Sequence, residues 1–261
     1  MTGDTTAVLV EDVDAVRILT LDRPAKRNAF TLESMAALQD RLDEGIADPG
    51  VRAFVLTGSA GTFCAGVDLA VLQNATVAGT HANLLALHRT VRTLAAGPKP
   101  AVAAVEGHAV GAGLSLALAC DLVVAAEDAT LRCAFPRLGL MADLGLLWSL
   151  PQRVGHGMAR RMLLLDEPVR GTEAVDIGLA DYRSAPGEAL EIAMDVARRS
   201  AAQPPLAVGF TKAMLAAGPR DLDAVLRQEA SDQALLHGTS DFHEGLLSFT
   251  ERRDPDFTGR R

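Results

Sequence analysis

Two stretches decide the fold of this 261-residue chain: Phe63-Cys64-Ala65-Gly66-Val67-Asp68-Leu69 and Glu106-Gly107-His108-Ala109-Val110-Gly111-Ala112-Gly113. Each follows an apolar run that reads as a buried strand, 53–57 before the first and 101–105 before the second. The second stretch opens a short apolar helix at 114–120. A strand, a glycine turn and a helix recurring at a period of about 50 residues suggest a spiral of β and α units rather than a doubly wound sheet. Glycine turns of this kind aim backbone N–H groups at one point, and a helix N-terminus adds a positive partial charge. Two such donors about 3 Å from a carbonyl oxygen make an oxyanion hole. The other reading of the same glycines is that they only let the chain turn tightly.

Outward from these loops the pattern is regular. Two strands, 7–11 and 15–21, flank the turn Asp12-Val13-Asp14. Thr31 reads as a helix N-cap, followed by Leu32, Met35, Leu38, Leu42 and Ile46 on one face, and Asp48-Pro49-Gly50 stops that helix. A second helix runs through Leu84, Leu87, Val91 and Leu94 to Gly97-Pro98. Strands are expected at 122–126 and 130–133, then helices at 156–165, 172–177, 187–202, 205–216, 221–236 and 241–252.

Composition narrows the function. With 49% apolar and 22% charged residues the chain is of globular type, and disorder is excluded. A net charge of −8 argues against binding nucleic acid or an anionic membrane, both of which need a clustered positive face. Cys64, Cys120 and Cys133 show no paired spacing, so neither a disulfide framework nor a metal site is expected. The start, Met1 to Thr6, is polar, and no apolar run reaches the roughly 18 residues of a membrane helix, which points to a cytoplasmic protein. Dinucleotide, P-loop, zinc-protease and hydrolase-elbow motifs are missing.

Further ordered pieces join the two loops: Leu21-Asp22-Arg23-Pro24 with Arg27-Asn28-Ala29, Lys99-Pro100-Ala101-Val102, Cys120-Asp121-Leu122, Leu138-Gly139-Leu140, and Leu150-Pro151 with Val154-Gly155. In this order the chain resembles the crotonase family, the enoyl-CoA hydratase/isomerase superfamily. The resemblance implies an α/β fold, a crotonase-like spiral of ββα units over 1–200 carrying an acyl-CoA site. It also implies a C-terminal helical trimerisation region over 201–261, and hence a homo-trimer or hexamer. Coenzyme A would come as part of the substrate, with no permanently bound cofactor.

Carried over residue by residue, the oxyanion donors are the N–H groups of Val67 and Ala112. The family usually has glycine at the second position, and alanine keeps the N–H provided φ there is negative. The loop residues Ala65, Gly66, Asp68, Leu69 and Gly111 would line the substrate site. The two glutamates of the hydratases fall on Ser115 and Phe135, and neither residue deprotonates a water. Asp143, among apolar neighbours, matches the carboxylate of the family's isomerases and the nucleophilic aspartate of its dehalogenases. Alternatively, it is a plain helix N-cap. His88 stands at the spacing of the dehalogenases' water-activating histidine, or is a helix residue at the core edge. Arg23, Lys26 and Arg27 would meet the coenzyme A phosphates, or form a solvated turn. The leading expectation is an isomerase with Asp143 as acid/base and Phe135 as a pocket wall. The alternatives are hydratase, dehalogenase or thioesterase chemistry, and a non-catalytic CoA-binding assembly protein.

Overall fold

The computed structural model describes residues 7–73, 75–218 and 221–259. Among them the strands are β1 (Val8–Val13), β2 (Val16–Leu21), β3 (Ala53–Gly58), β4 (Ala101–Val105), β5 (His108–Val110), β6 (Leu122–Ala126), β7 (Thr130–Arg132), β8 (Val169–Arg170) and β9 (Tyr182–Ser184). The first five helices are α1 (Leu32–Ala47), α2 (Leu69–Gln73), α3 (Val77–Ala96), α4 (Ala112–Ala119) and α5 (Leu146–Leu165). The remainder are α6 (Gly171–Ala174), α7 (Ala189–Ala201), α8 (Pro205–Ala216), α9 (Leu222–Leu236) and α10 (Ser240–Glu251).

The large sheet has the order β1-β2-β3-β4-β6-β9, antiparallel only between β1 and β2. A small sheet has the order β5-β7-β8. Each turn of the chain leaves one strand in each sheet: β4 then β5, and β6 then β7. The turn before them does the same, since Cys64, just after β3, bridges Ala109 of β5 in parallel. This is the expected spiral of ββα units. Because β3 and β4 are neighbours, their two crossings to the small sheet lie side by side, and those crossings are the glycine loops.

Burial follows the two-residue period of the central strands. Ala101, Ala103 and Val105 of β4 join the core built with α1, α3 and α4, whereas Val102 and Ala104 face α7 through Ala193 and Ala197. A strand buried on both faces reads as one apolar run, which is why β4 was legible to its last residue. Leu38 and Leu42 of α1 are fully buried, and each such side chain contributes about 1.5–3 kcal/mol of hydrophobic stabilisation. Thr31 caps α1 as expected: its Oγ1 accepts from the Ser34 N–H at 3.3 Å while Ser34 Oγ accepts from the Thr31 N–H at 2.9 Å.

The sequence reading needs three corrections. The tight turn expected at 107–113 contains β5, and three elements of two to five residues, α2, β8 and β9, were not expected. Elements that short carry no period to read. The helix expected from 156 begins at Leu146, and at Gly155 (φ 71°, ψ 164°) it breaks and turns. Pro151 and Gly155 hide its first half from a helical period. No helix among the described residues is long and apolar enough to cross a membrane.

Candidate active site

The first loop is pinned on both sides. The Phe63 N–H donates to Glu106 O and the Cys64 N–H to His108 O, both at 2.8 Å, while the Val110 N–H returns to Cys64 O at 3.0 Å. Across the loop, the Phe30 N–H donates to Gly66 O, and the Asp68 N–H to Phe30 O, both at 2.9 Å. Gly66 has φ 99°, and a Cβ built there would lie 2.9 Å from Val110 O and 3.6 Å from Ala112 N. The two loops therefore meet at this point with no room for a side chain.

In the second loop positive φ falls on Gly107 (55°) and Gly111 (57°), and Ala112 starts α4 as an ordinary helical residue. The condition for alanine at that place is met. As the first residue of its helix Ala112 has no intrahelical acceptor for its N–H. Neither its N–H nor that of Val67 has a hydrogen-bond partner among the described residues. Both residues line a cavity of about 370 Å3.

That cavity gathers most of the residues singled out from sequence: Lys26, Ala65, Gly66, Val67, Asp68, Leu69, Gly111, Ala112, Phe135 and Asp143. Its apolar wall adds Leu72, Leu138 and Leu140, which the sequence reading did not assign to the site. Leu138 and Leu140 flank the quoted Gly139, so their position beside the site was the available signal. A larger cavity of about 850 Å3 lies between α8 and the start of β6. Its ionisable groups satisfy one another, with Lys212 Nζ 2.6 Å from Asp121 Oδ2 and Arg153 2.9 Å from Asp181, and it holds none of the loop residues.

The N-cap reading of Asp143 is overturned. Gly145 precedes α5, and Asp143 offers the helix only its backbone carbonyl, which accepts from the Leu146 N–H at 3.0 Å. Its carboxyl Oδ1 is buried without a hydrogen-bond partner among the described residues. Burial pushes the pKa of Asp143 up to about 6, and a hydrogen bond from its own backbone N–H offsets only part of that. The other carboxylate lining the cavity is the reverse case. Asp68 accepts from the Ala70 N–H at 3.2 Å and from Arg23 at 3.1 Å, and these bonds hold its pKa below the ordinary value despite burial. It anchors the loop as a permanent anion.

Three expected site residues are not brought to the cavity. Arg23 is engaged inside the fold, by Asp68 and the carbonyl of Ala29, and does not line the cavity. Arg27 is exposed, with φ 49°, and its carbonyl accepts from the Ala65 N–H at 3.0 Å. His88 lies half-buried on α3 and does not line the cavity. Ser115 is fully buried in α4, its Oγ donating to Gly111 O at 3.4 Å. The three thiols are buried, with pKa values pushed up to about 12, which removes them as nucleophiles. No group of His, Cys, Asp and Glu among the described residues is arranged to hold a metal.

Asn28 has a structural role that its place in the chain does not reveal. Its carboxamide donates to Ser59 O (2.9 Å) and Thr62 O (2.7 Å) and accepts from the Arg23 N–H (2.9 Å). At φ 57° and 1% exposure, it ties the 23–28 turn to the segment leading into the first loop. Asn28→Ala should lower unfolding stability by about 1–3 kcal/mol, because two partly buried carbonyls lose their donors. A urea midpoint equal to that of the wild type would show that the tie is unnecessary.

Two N–H groups without partners among the described residues and one carboxyl group thus line one cavity, an arrangement able to stabilise negative charge on a carbonyl oxygen and to transfer a proton. A family model described as enoyl-CoA hydratase/isomerase matches residues 11–260. A putative enoyl-CoA hydratase of Thermus thermophilus is 39% identical over 246 residues, 93% of this chain and 97% of that protein. The 1,2-epoxyphenylacetyl-CoA isomerase of Escherichia coli is 36% identical over 252 residues, 94% of this chain and 95% of its own. The crystal structure of a putative enoyl-CoA hydratase from Streptomyces coelicolor superposes with a TM-score of 0.92 at 39% identity, covering 100% of this chain and 97% of that one.

Proposed function

The chain belongs to the enoyl-CoA hydratase/isomerase family, and we propose that within it the protein is an isomerase that moves a double bond along an acyl-CoA. The observation that carries this reading is Asp143, whose carboxyl Oδ1 is buried without a partner among the described residues and lines the same cavity as the Val67 and Ala112 N–H groups. With a 3-enoyl thioester, the Asp143 carboxylate takes a proton from C2. The electron pair moves to the thioester oxygen, where the two N–H groups stabilise the enolate. Protonated Asp143 returns the proton at C4, leaving the double bond between C2 and C3. A carboxyl with a pKa near the working pH suits both halves of this transfer.

Hydration is the reading favoured by the names of several relatives. It requires a held and deprotonated water, and Ser115 and Phe135 stand where the resemblance expects the two glutamates. Dehalogenase or thioesterase chemistry loses its water activator, since His88 lies outside the cavity. The test is to supply 3-enoyl-CoA and 2-enoyl-CoA separately in deuterium oxide and follow products by mass spectrometry. Migration with deuterium at the transferred position supports the proposal. Hydration of the 2-enoyl substrate with no migration of the 3-enoyl one would overturn it, and no turnover of either would favour an assembly protein.

The pH profile supplies a second check. Asp143 must be ionised to accept the first proton, so kcat/KM should rise with pH through a midpoint of about 6 and level off above it. A profile flat from about pH 5 to pH 8 would remove Asp143 from the first step.

For the coenzyme A phosphates we assign Lys26, which is exposed and lines the cavity, with Arg27 beside it. Loss of both charges should weaken binding of CoA itself in a calorimetric titration, and unchanged affinity would move the phosphate site. The helical region 201–261 is proposed as the trimer or hexamer contact, because Leu222, Leu226, Leu235 and Phe249 stand exposed on α9 and α10. A monomer by light scattering at micromolar concentration would refute that.

A further inference from the structure

Asp166, at the far end of α5 from Asp143, is a buried carboxylate that the reaction does not use. It accepts from Arg132 Nε at 3.0 Å and Nη2 at 2.6 Å, from Arg137 Nε at 2.7 Å, and from the Ala134 N–H at 2.8 Å. Burial works against its charge, but the two guanidinium groups and the Ala134 N–H outweigh it and hold its pKa below the ordinary value. It is thus a permanent anion. Its partners on the 134–138 turn bracket Phe135, a wall of the catalytic cavity.

The turn needs such a hold. Ala134 sits at φ 59°, a left-handed conformation that alanine adopts only when its surroundings impose it. The bond from the Ala134 N–H to Asp166 Oδ1 restrains that peptide, together with the Phe135 N–H, which donates to Cys133 O at 2.8 Å. Loss of the Asp166 bond frees the Ala134 N–H side of the turn that carries Phe135.

We propose that Asp166 is a positioning residue for the acyl site, holding the 134–138 turn so that Phe135 closes the cavity around the acyl group. Resting on the acyl-CoA reading above, this assigns Asp166 to recognition of the acyl portion and leaves the coenzyme A portion to other residues. Charge-assisted bonds of this kind are the strong ones, so their loss is felt in geometry as well as in stability.

The experiment compares calorimetric affinities for hexanoyl-CoA and for CoA alone, neither of which turns over as an enoyl substrate. In Asp166→Asn the preference for hexanoyl-CoA over CoA should fall about tenfold, with CoA affinity unchanged. Arg137→Gln, at a mostly exposed side chain that removes one bond without threatening the fold, should lower it about threefold. Adding Ala134→Gly to Asp166→Asn should restore most of the preference, because glycine holds a positive φ unaided. A purely structural role would weaken both ligands alike and would not be rescued by glycine. A preference unchanged in both single variants overturns the positioning role alone. A wild type that binds hexanoyl-CoA no better than CoA overturns the acyl-site reading and this inference with it.

Discussion

Asp143→Asn should cut isomerisation, and deuterium exchange at the carbon next to the thioester, by about a thousandfold, within the range for losing a general acid/base. Binding of the acyl-CoA should stay nearly intact, because asparagine keeps the size of the side chain and Asp143 Oδ1 makes no hydrogen bond that the change would break. Exchange that persists in the variant would remove Asp143 from the mechanism.

The same variant carries a stability signature of definite sign. Burial raises the pKa of Asp143 from 3.8 in the unfolded chain to about 6 in the folded one, so the folded state holds the proton more tightly. The contribution is therefore fully present below pH 3.8 and is lost as pH rises through about 6, where the buried group must ionise. Asp143→Asn cannot ionise, so it should be more stable than the wild type by about 1–3 kcal/mol near pH 8 and no more stable near pH 3.5. Urea unfolding at the two pH values checks this. A gain in stability with loss of activity is the pattern of a group kept strained for function.

Ala112→Pro should lower kcat/KM by at least about a hundredfold while leaving the fold in place. Proline is at home as the first residue of a helix, where its missing N–H has no intrahelical acceptor and its fixed φ matches. Gly111, at ψ −126°, precedes it without a Cβ to clash. What the substitution deletes is one of the two proposed donors to the enolate oxygen, and the ring also fills space where that oxygen would sit. Circular dichroism equal to that of the wild type, together with the loss of turnover, would place the effect at the Ala112 N–H position rather than in the fold. Full activity in this variant would remove the Ala112 N–H from the oxyanion hole.

The parts of the site made of backbone were legible in the chain itself. The two glycine loops could be read from local residues, and the family resemblance put the donor positions on Val67 and Ala112, each of which follows a glycine with positive φ, with a helix start at the second. β4 and β6 were found to the residue because both are short, continuous apolar runs, and α1 was found because Thr31 and a four-turn apolar face announce it. The recurrence of one strand–turn–helix pattern pointed to a spiral, while the neighbouring position of β3 and β4, which sets the two glycine loops against each other, is given by the sheet order.

Side-chain roles in the site depended on contacts between segments far apart in the chain. Arg23 and Lys26 look alike in sequence, but Asp68, 45 positions from Arg23, claims one and leaves the other facing the cavity. In sequence Asp143 reads first as an acid/base, with a helix cap and a nucleophile as alternatives. It loses the capping role because Gly145 takes the position before α5, and its raised pKa comes from burial beside a cavity also lined by Phe135, Leu138 and the glycine loops. Asp166 gave no sequence signal at all, because its partners lie 29 to 34 residues away and only the fold of α5 back at Gly155 brings them together. The physical reason is the same in each case. Backbone geometry is set within a few residues, whereas charge state, burial and ion pairing are set by whatever the tertiary structure packs alongside.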